Sequence, residues 1–81
     1  MEISYVLIQC DLGYEEAIIK KLVTIPQIKE VRGTYGVFDI FVKIEADSKD
    51  EIDNIMTNKI RKLPNIRGTN TLIAILSQGG R

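Results

Sequence analysis

Apolar residues occupy both alternating faces of the opening stretch ISYVLIQC, with Ile3, Tyr5 and Leu7 pointing one way and Val6, Ile8 and Cys10 the other. This pattern predicts a strand over residues 3–10 that lies inside its sheet and is covered on both sides. In GYEEAIIKKLVTI the period lengthens, and Ile18, Ile19, Leu22, Val23 and Ile25 recur at helical spacing. Glu15 and Glu16 open that segment, Lys20 and Lys21 fall near its end as the helix dipole favours, and Pro26 stops it. Residues 28–35, IKEVRGTY, are more polar and are broken by Gly33, which predicts an edge strand with a bulge at the glycine. Gly36 and Val37 then separate Tyr35 from Phe38, and a glycine first in a two-residue loop predicts a type II′ hairpin. Phe38, Ile40, Val42 and Ile44 make one face of the next strand wholly apolar, with Val37, Asp39, Phe41 and Lys43 opposite. Ser48 with Glu51 three residues on announces a second helix through a capping box. Its buried stripe is Ile52, Ile55, Met56, Ile60 and Leu63, and Pro64 ends it. TLIAIL, residues 71–76, predicts a last strand buried on both faces, and SQGGR, residues 77–81, a flexible tail.

The order is therefore β-α-β-β-α-β. TIPQIK after the first helix rhymes with KLPNIR after the second, so each half is one strand-helix-strand unit with the same helix stop. Two such halves predict an α+β, ferredoxin-like fold over residues 1–76, a single domain whose antiparallel sheet carries both helices on one face. The other face is apolar too, a patch of the kind that marks an interaction site. It predicts a homodimer packed sheet against sheet, and a larger assembly of such dimers. A charge on that face, for example at Val6 or Ile8 of the first strand, is expected to break the dimer or unfold it.

Composition removes several function classes. Eleven basic residues balance eleven acidic ones, so no net positive field holds nucleic acid or an anionic membrane. The short cluster Lys59, Arg61 and Lys62 falls at a helix end, where cations suit the dipole. Histidine is absent, which removes the usual general base, most zinc sites and any Cys-His or Ser-His pair. The single cysteine, Cys10, lies in an apolar run and reads as a buried, inert thiol. No metal or cofactor is expected. No apolar run reaches membrane-spanning length and the N-terminus is acidic, so the expectation is a cytoplasmic protein complete from Met1.

Asp39, near the start of an otherwise apolar strand, needs a reason. Two local motifs supply one. GVFD, Gly36 to Asp39, resembles the glycine-x-aromatic-aspartate hairpin of the ligand-sensing (RAM) domain of Lrp/AsnC transcription regulators. TNTLIAIL, Thr69 to Leu76, resembles the threonine-x-threonine lead into that family's last strand, and the likeness spans essentially the whole chain. Such proteins usually carry a helix-turn-helix ahead of this domain. Here the first strand begins at once, so DNA binding is not carried over and a stand-alone sensing domain is expected.

The resemblance implies an amino-acid or similar small effector held between neighbouring dimers, which assemble into octameric or similar rings. On the matching positions, Gly36, Val37, Phe38 and Asp39 would surround the effector's charged α-groups with backbone groups and one carboxylate. Thr69 and Thr71 would add hydroxyls from another subunit. A glycine turn exposes backbone donors and acceptors, and the Asp39 carboxylate suits an ammonium. A purely structural account stands beside this one: Asp39 braces the hairpin or pairs with Arg32 across the strands, worth ~0.2–1 kcal/mol. Thr69 and Thr71 are also ordinary strand residues, and Gly36 is explained by its turn. Were the second helix to border the pocket, Ile55 and Lys59 would shape its side-chain end, Lys59 disfavouring lysine or arginine.

Three alternatives stay open. An ACT-like domain would bind its amino acid at the first strand-helix turn, DLGYEEA, where Asp11 and Gly13 stand but proline does not. An assembly module would hetero-oligomerise with a full-length Lrp/AsnC regulator. A small dimeric α/β-barrel enzyme, such as a monooxygenase or heme-handling protein, is the third, with few acid-base groups to work with.

Overall fold

A computed structural model describes residues 2–73. Four strands and two helices follow in the expected order: β1 Glu2–Cys10, α1 Glu15–Leu22, β2 Ile28–Gly33, β3 Ile40–Ala46, α2 Lys49–Ile55 and β4 Ile66–Ile73. The sheet is antiparallel with strand order β2-β3-β1-β4, so β1 is central and β2 and β4 are its edges. Pro26 and Pro64 each stand two residues ahead of an edge strand, which is the structural content of the internal rhyme. Proline ends the helix and suits the extended chain that follows.

The core lies between the sheet and the helices. Val6, Ile8, Ile40, Val42 and Ile44 meet Ile18 and Leu22 of α1 and Ile52 and Ile55 of α2, all of them buried. On α1 the stripe is narrower than the sequence suggests: Ile18 and Leu22 are buried, whereas Val23 lies past the helix and is exposed. The Ser48 hydroxyl oxygen caps α2 by accepting the Glu51 N–H at 3.2 Å. The Glu51 carboxylate does not close the box; it accepts from the Gln27 amide at 3.1 Å and ties α2 to the turn before β2. Ser48→Ala should therefore cost about 1 kcal/mol, read as a lower melting temperature. Beyond Ile55 the helix widens into a π turn, Met56–Ile60, with Arg61 N–H reaching the Met56 carbonyl at 2.9 Å. The widening keeps both Met56 and Ile60 in the core.

Several expectations are corrected. The β2–β3 connection is not a two-residue hairpin: β2 stops at Gly33, β3 starts at Ile40, and Thr34 N–H closes the loop on the Asp39 carbonyl at 2.8 Å. Gly36 does take a positive φ of 119°, but within this longer loop, and Phe38 is a half-buried loop residue rather than part of the strand face. The β2 bulge falls between Ile28 and Glu30, not at Gly33.

The last strand begins at Ile66, five residues before Thr71, and residues 74–76 of the expected strand lie outside the described residues. As an edge, β4 pairs only with β1, so polar residues are tolerated along it, and Leu72 and Ile73 are exposed instead of buried. Finally, Val6 and Ile8 are fully buried under the helices. The helix-free face of β1 is Ile3, Tyr5 and Leu7, because side chains alternate with a period of two. There Tyr5 stacks on Phe41 with ring centroids 5.7 Å apart, and Lys43 pairs with Glu45 at 3.4 Å. That face is apolar at its centre and charged along one side.

Candidate functional site

Asp39 is the last residue before β3, and its backbone already belongs to the sheet, since its N–H donates to the Ile8 carbonyl at 2.8 Å. The β1–β3 register ends at Ile8 opposite Ile40, where the loop peels away from β1. Cys10 N–H therefore lacks a β3 carbonyl, and Asp39 Oδ2 accepts it at 2.9 Å in its place. An N–H bonded to a carboxylate is stronger than the neutral ladder bond it replaces. Gln9 Nε2 adds a second tie, donating to the Val37 carbonyl at 2.7 Å. The expected Asp39–Arg32 pair does not form, because Arg32 pairs with Glu30 on its own strand.

These ties bring the β2–β3 loop against the β1–α1 turn. Gly13, at φ 90°, turns the chain, and its N–H donates to Glu15 Oε1 at 3.1 Å. The result is a cleft of about 260 Å³ lined by Gln9, Cys10, Leu12 and Glu15 from β1 and the turn after it, by Val37 and Asp39 from the β2–β3 loop, and by Arg67 from β4. A second cleft of about 360 Å³ is lined by Gly33, Thr34 and Tyr35 and shares Glu15 and Asp39 with the first. Both are small on the scale of ligand pockets, roughly 300–1,000 Å³. They suit a small metabolite. Burial pushes the Cys10 thiol above its ordinary value, helped by the negative charges of Asp39, Glu15 and Asp11.

Arg67 reaches the cleft through a β-bulge. Gln9 pairs with Gly68 but Cys10 pairs with Ile66, so Arg67 is the extra residue between them. Ile66 takes the core-side position opposite Cys10, and Arg67 is left out of the ladder. Its Nε stands 3.9 Å from Asp11 Oδ1, a loose pair between exposed side chains.

Of the six residues expected at the site, Val37 and Asp39 line the cleft and Gly36 and Phe38 belong to the same loop. Thr69 and Thr71 do not join them within one chain. They pair with Ile8 and Val6 on β4, half-buried on the helix side, with β1 between them and β3. Ile55 is in the core, and Lys59 lines a separate groove with Lys20 and Lys21, away from Asp39. Gln9, Glu15 and Arg67 were not anticipated at this site. The one available signal was the Asp11–Gly13 turn, read as an ACT-like alternative; the fold sets that turn beside Asp39, so the two candidate sites adjoin. Among the described residues, no three metal-binding side chains converge, and no helix is long and apolar enough to cross a membrane.

The Lrp/AsnC ligand binding domain matches residues 3–78. This chain belongs to that family. It is 30% identical over 73 residues to the HTH-type transcriptional regulator FL11 of Pyrococcus furiosus, covering 90% of this chain and 48% of the regulator. It is also 32% identical over 73 residues to homocitrate synthase of Sulfurisphaera tokodaii, covering 89% of this chain and 16% of that protein. The crystal structure of FFRP-DM1, 39% identical, superposes with a TM-score of 0.89 over 93% of this chain and 100% of its own. The chain thus spans about half the length of the curated regulator it matches. The Lrp/AsnC domain fold accounts for the strand order, the two helices on one face and the helix-free face opposite.

Proposed function

We propose that this Lrp/AsnC domain senses a small effector, an amino acid or similar zwitterion, and couples that binding to oligomerisation in transcriptional or metabolic regulation, without catalysis and without contacting DNA itself. The observation that carries the reading is the cleft at Asp39. It combines carboxylates, a guanidinium and backbone groups of a glycine loop in a volume suited to a metabolite. A zwitterion needs acceptors for its ammonium and donors for its carboxylate, and this wall offers both. Relatives support a role separable from DNA binding: the same stretch is matched in an HTH-type regulator and in a synthase. Eleven cationic against eleven anionic residues argue in the same direction.

In this reading two chains pack through the face of Ile3, Tyr5, Leu7 and Phe41, and dimers associate into an octameric or similar ring that closes the cleft. Thr69 and Thr71 then reach the effector from a neighbouring subunit, as their separation from Asp39 within one chain requires. Thermal melting against the twenty amino acids, with light scattering on the same samples, tests it. A saturating ligand at ~100 times its dissociation constant adds about 2.7 kcal/mol, so one or a few amino acids should raise the melting temperature selectively. A flat panel from a folded oligomer would favour the second reading, an assembly module that joins a full-length regulator. The partly apolar helix-free sheet face favours that alternative equally.

A further inference from the structure

We propose that the Asp39 cleft selects a diamino carboxylic acid, with Arg67 holding the ligand's carboxylate, Asp39 its α-ammonium and Glu15 its second cation. The inference rests on the amino-acid-sensing reading above and adds the ligand class.

It starts from the bulge. In a regular ladder Arg67 would face Cys10 and point toward the helices; the extra residue instead puts Ile66 there and frees Arg67 toward the cleft mouth. Bulges re-aim side chains in this way beside binding sites. The guanidinium meets Asp11 only at 3.9 Å and stays largely exposed, so its paired donors remain open to a ligand carboxylate. Elsewhere along the cleft, Asp39 commits Oδ2 to Cys10 N–H and Glu15 commits Oε1 to Gly13 N–H. Among the described residues each keeps its second oxygen without a hydrogen bond.

Charge balance then separates ligand classes. The lining of the cleft carries two carboxylates and one guanidinium, a formal charge of −1, and Asp11 beside Arg67 adds a third carboxylate at its edge. An amino acid with a neutral side chain satisfies Arg67 and one carboxylate and leaves the other unpaired. An acidic side chain adds repulsion. A second cation satisfies every charged group on the wall, and a site built this way rejects ligands that leave a charge unmatched. Space is available where it is needed, because Glu15 and Asp39 line both clefts. A ligand seated between Arg67 and Asp39 extends its side chain past Glu15 toward Thr34 and the exposed ring of Tyr35, a face that also attracts cations. Lys59, the one residue expected to repel such a ligand, lines the other groove. The Cys10 thiol, raised first by burial and then by the charges of Asp39, Glu15 and Asp11, lies where these carboxylates gather.

Calorimetric titration of the full chain with two pairs of equal carbon chain, L-ornithine against L-norvaline and L-lysine against L-norleucine, tests the proposal, since each pair differs only in the terminal ammonium. The diamino member of a pair should bind at least about tenfold more tightly. Glu15→Gln should bring that ratio close to one, and Arg67→Gln should weaken all ligands that bind, without changing the ratio. Circular dichroism of both variants, surface substitutions, should match the parent. Neutral members binding as well as their diamino partners would overturn the ligand class while leaving amino-acid sensing intact. A ratio unaltered in Glu15→Gln would overturn the role of Glu15. Silence from these four ligands and from all twenty amino acids would remove the sensing reading, and this inference with it.

Discussion

Leu7→Glu should leave a folded protein that no longer dimerises, whereas Ile8→Glu should not fold. The two positions are adjacent on β1 but face opposite layers. Ile8 is wholly buried, paired with Ile40 and Thr69 in the sheet and packed beneath the helices. A carboxylate there has no partner, and burying it costs several kcal/mol on top of the lost apolar contacts. A domain of this length has about 4–12 kcal/mol in total, at roughly 0.05–0.15 kcal/mol per residue. The substitution consumes most of it. Leu7 stands opposite Phe41 and Asn70 on the helix-free face and is only half-buried in one chain. A glutamate there stays hydrated in the monomer, and its charge is penalised only where a second sheet covers it. Circular dichroism and sedimentation velocity on both variants separate the cases. Leu7→Glu with the parent's sedimentation coefficient would show that the dimer uses another surface.

Asp39 braces the loop through Cys10 N–H and, in the proposed reading, also meets the ligand, and two substitutions separate these. Asp39→Ala removes the acceptor of Cys10 N–H and leaves a partly buried donor unpaired, a loss of about 1–3 kcal/mol at full burial and less here. It also removes the charge offered to the ligand, so melting temperature and affinity should both fall while the dimer stays folded. Asp39→Asn keeps an oxygen in position for Cys10 N–H and discards only the charge. It should melt close to the parent and bind the responsive amino acid at least about tenfold more weakly, since an ammonium loses its charge-assisted partner. Unchanged affinity in a stable Asp39→Asn protein would reduce Asp39 to a brace for the loop.

The fold and the site were not equally legible from the chain. Each element that packs on the core could be read, because an apolar period of two or of three to four is a local property and burial requires it. Ile18 with Leu22, Ile52 with Ile55, and Val6 with Ile8 all lie in the core. The capping hydroxyl of Ser48 and the positive φ of Gly36 were legible for the same reason, since each serves its own turn of chain. Family resemblance at GVFD singled out the loop that carries Asp39.

What remained hidden depends on partners far away in sequence. Asp39 bonds to a backbone N–H 29 residues away, and no property of either segment announces that bond. The β2–β3 loop is longer than its glycine suggests because β1, not the hairpin alone, decides where β3 begins. The edge strand β4 pairs on one side only, so its first half, IRGT, carries little apolar alternation to find. Its bulge, which delivers Arg67, is a mismatch of register between two strands and exists in neither alone. By itself the sequence determined the elements and the faces they bury, because hydrophobic burial is written residue by residue. Only the tertiary structure decided which charges share a cleft, because register and loop closure are relations between distant segments.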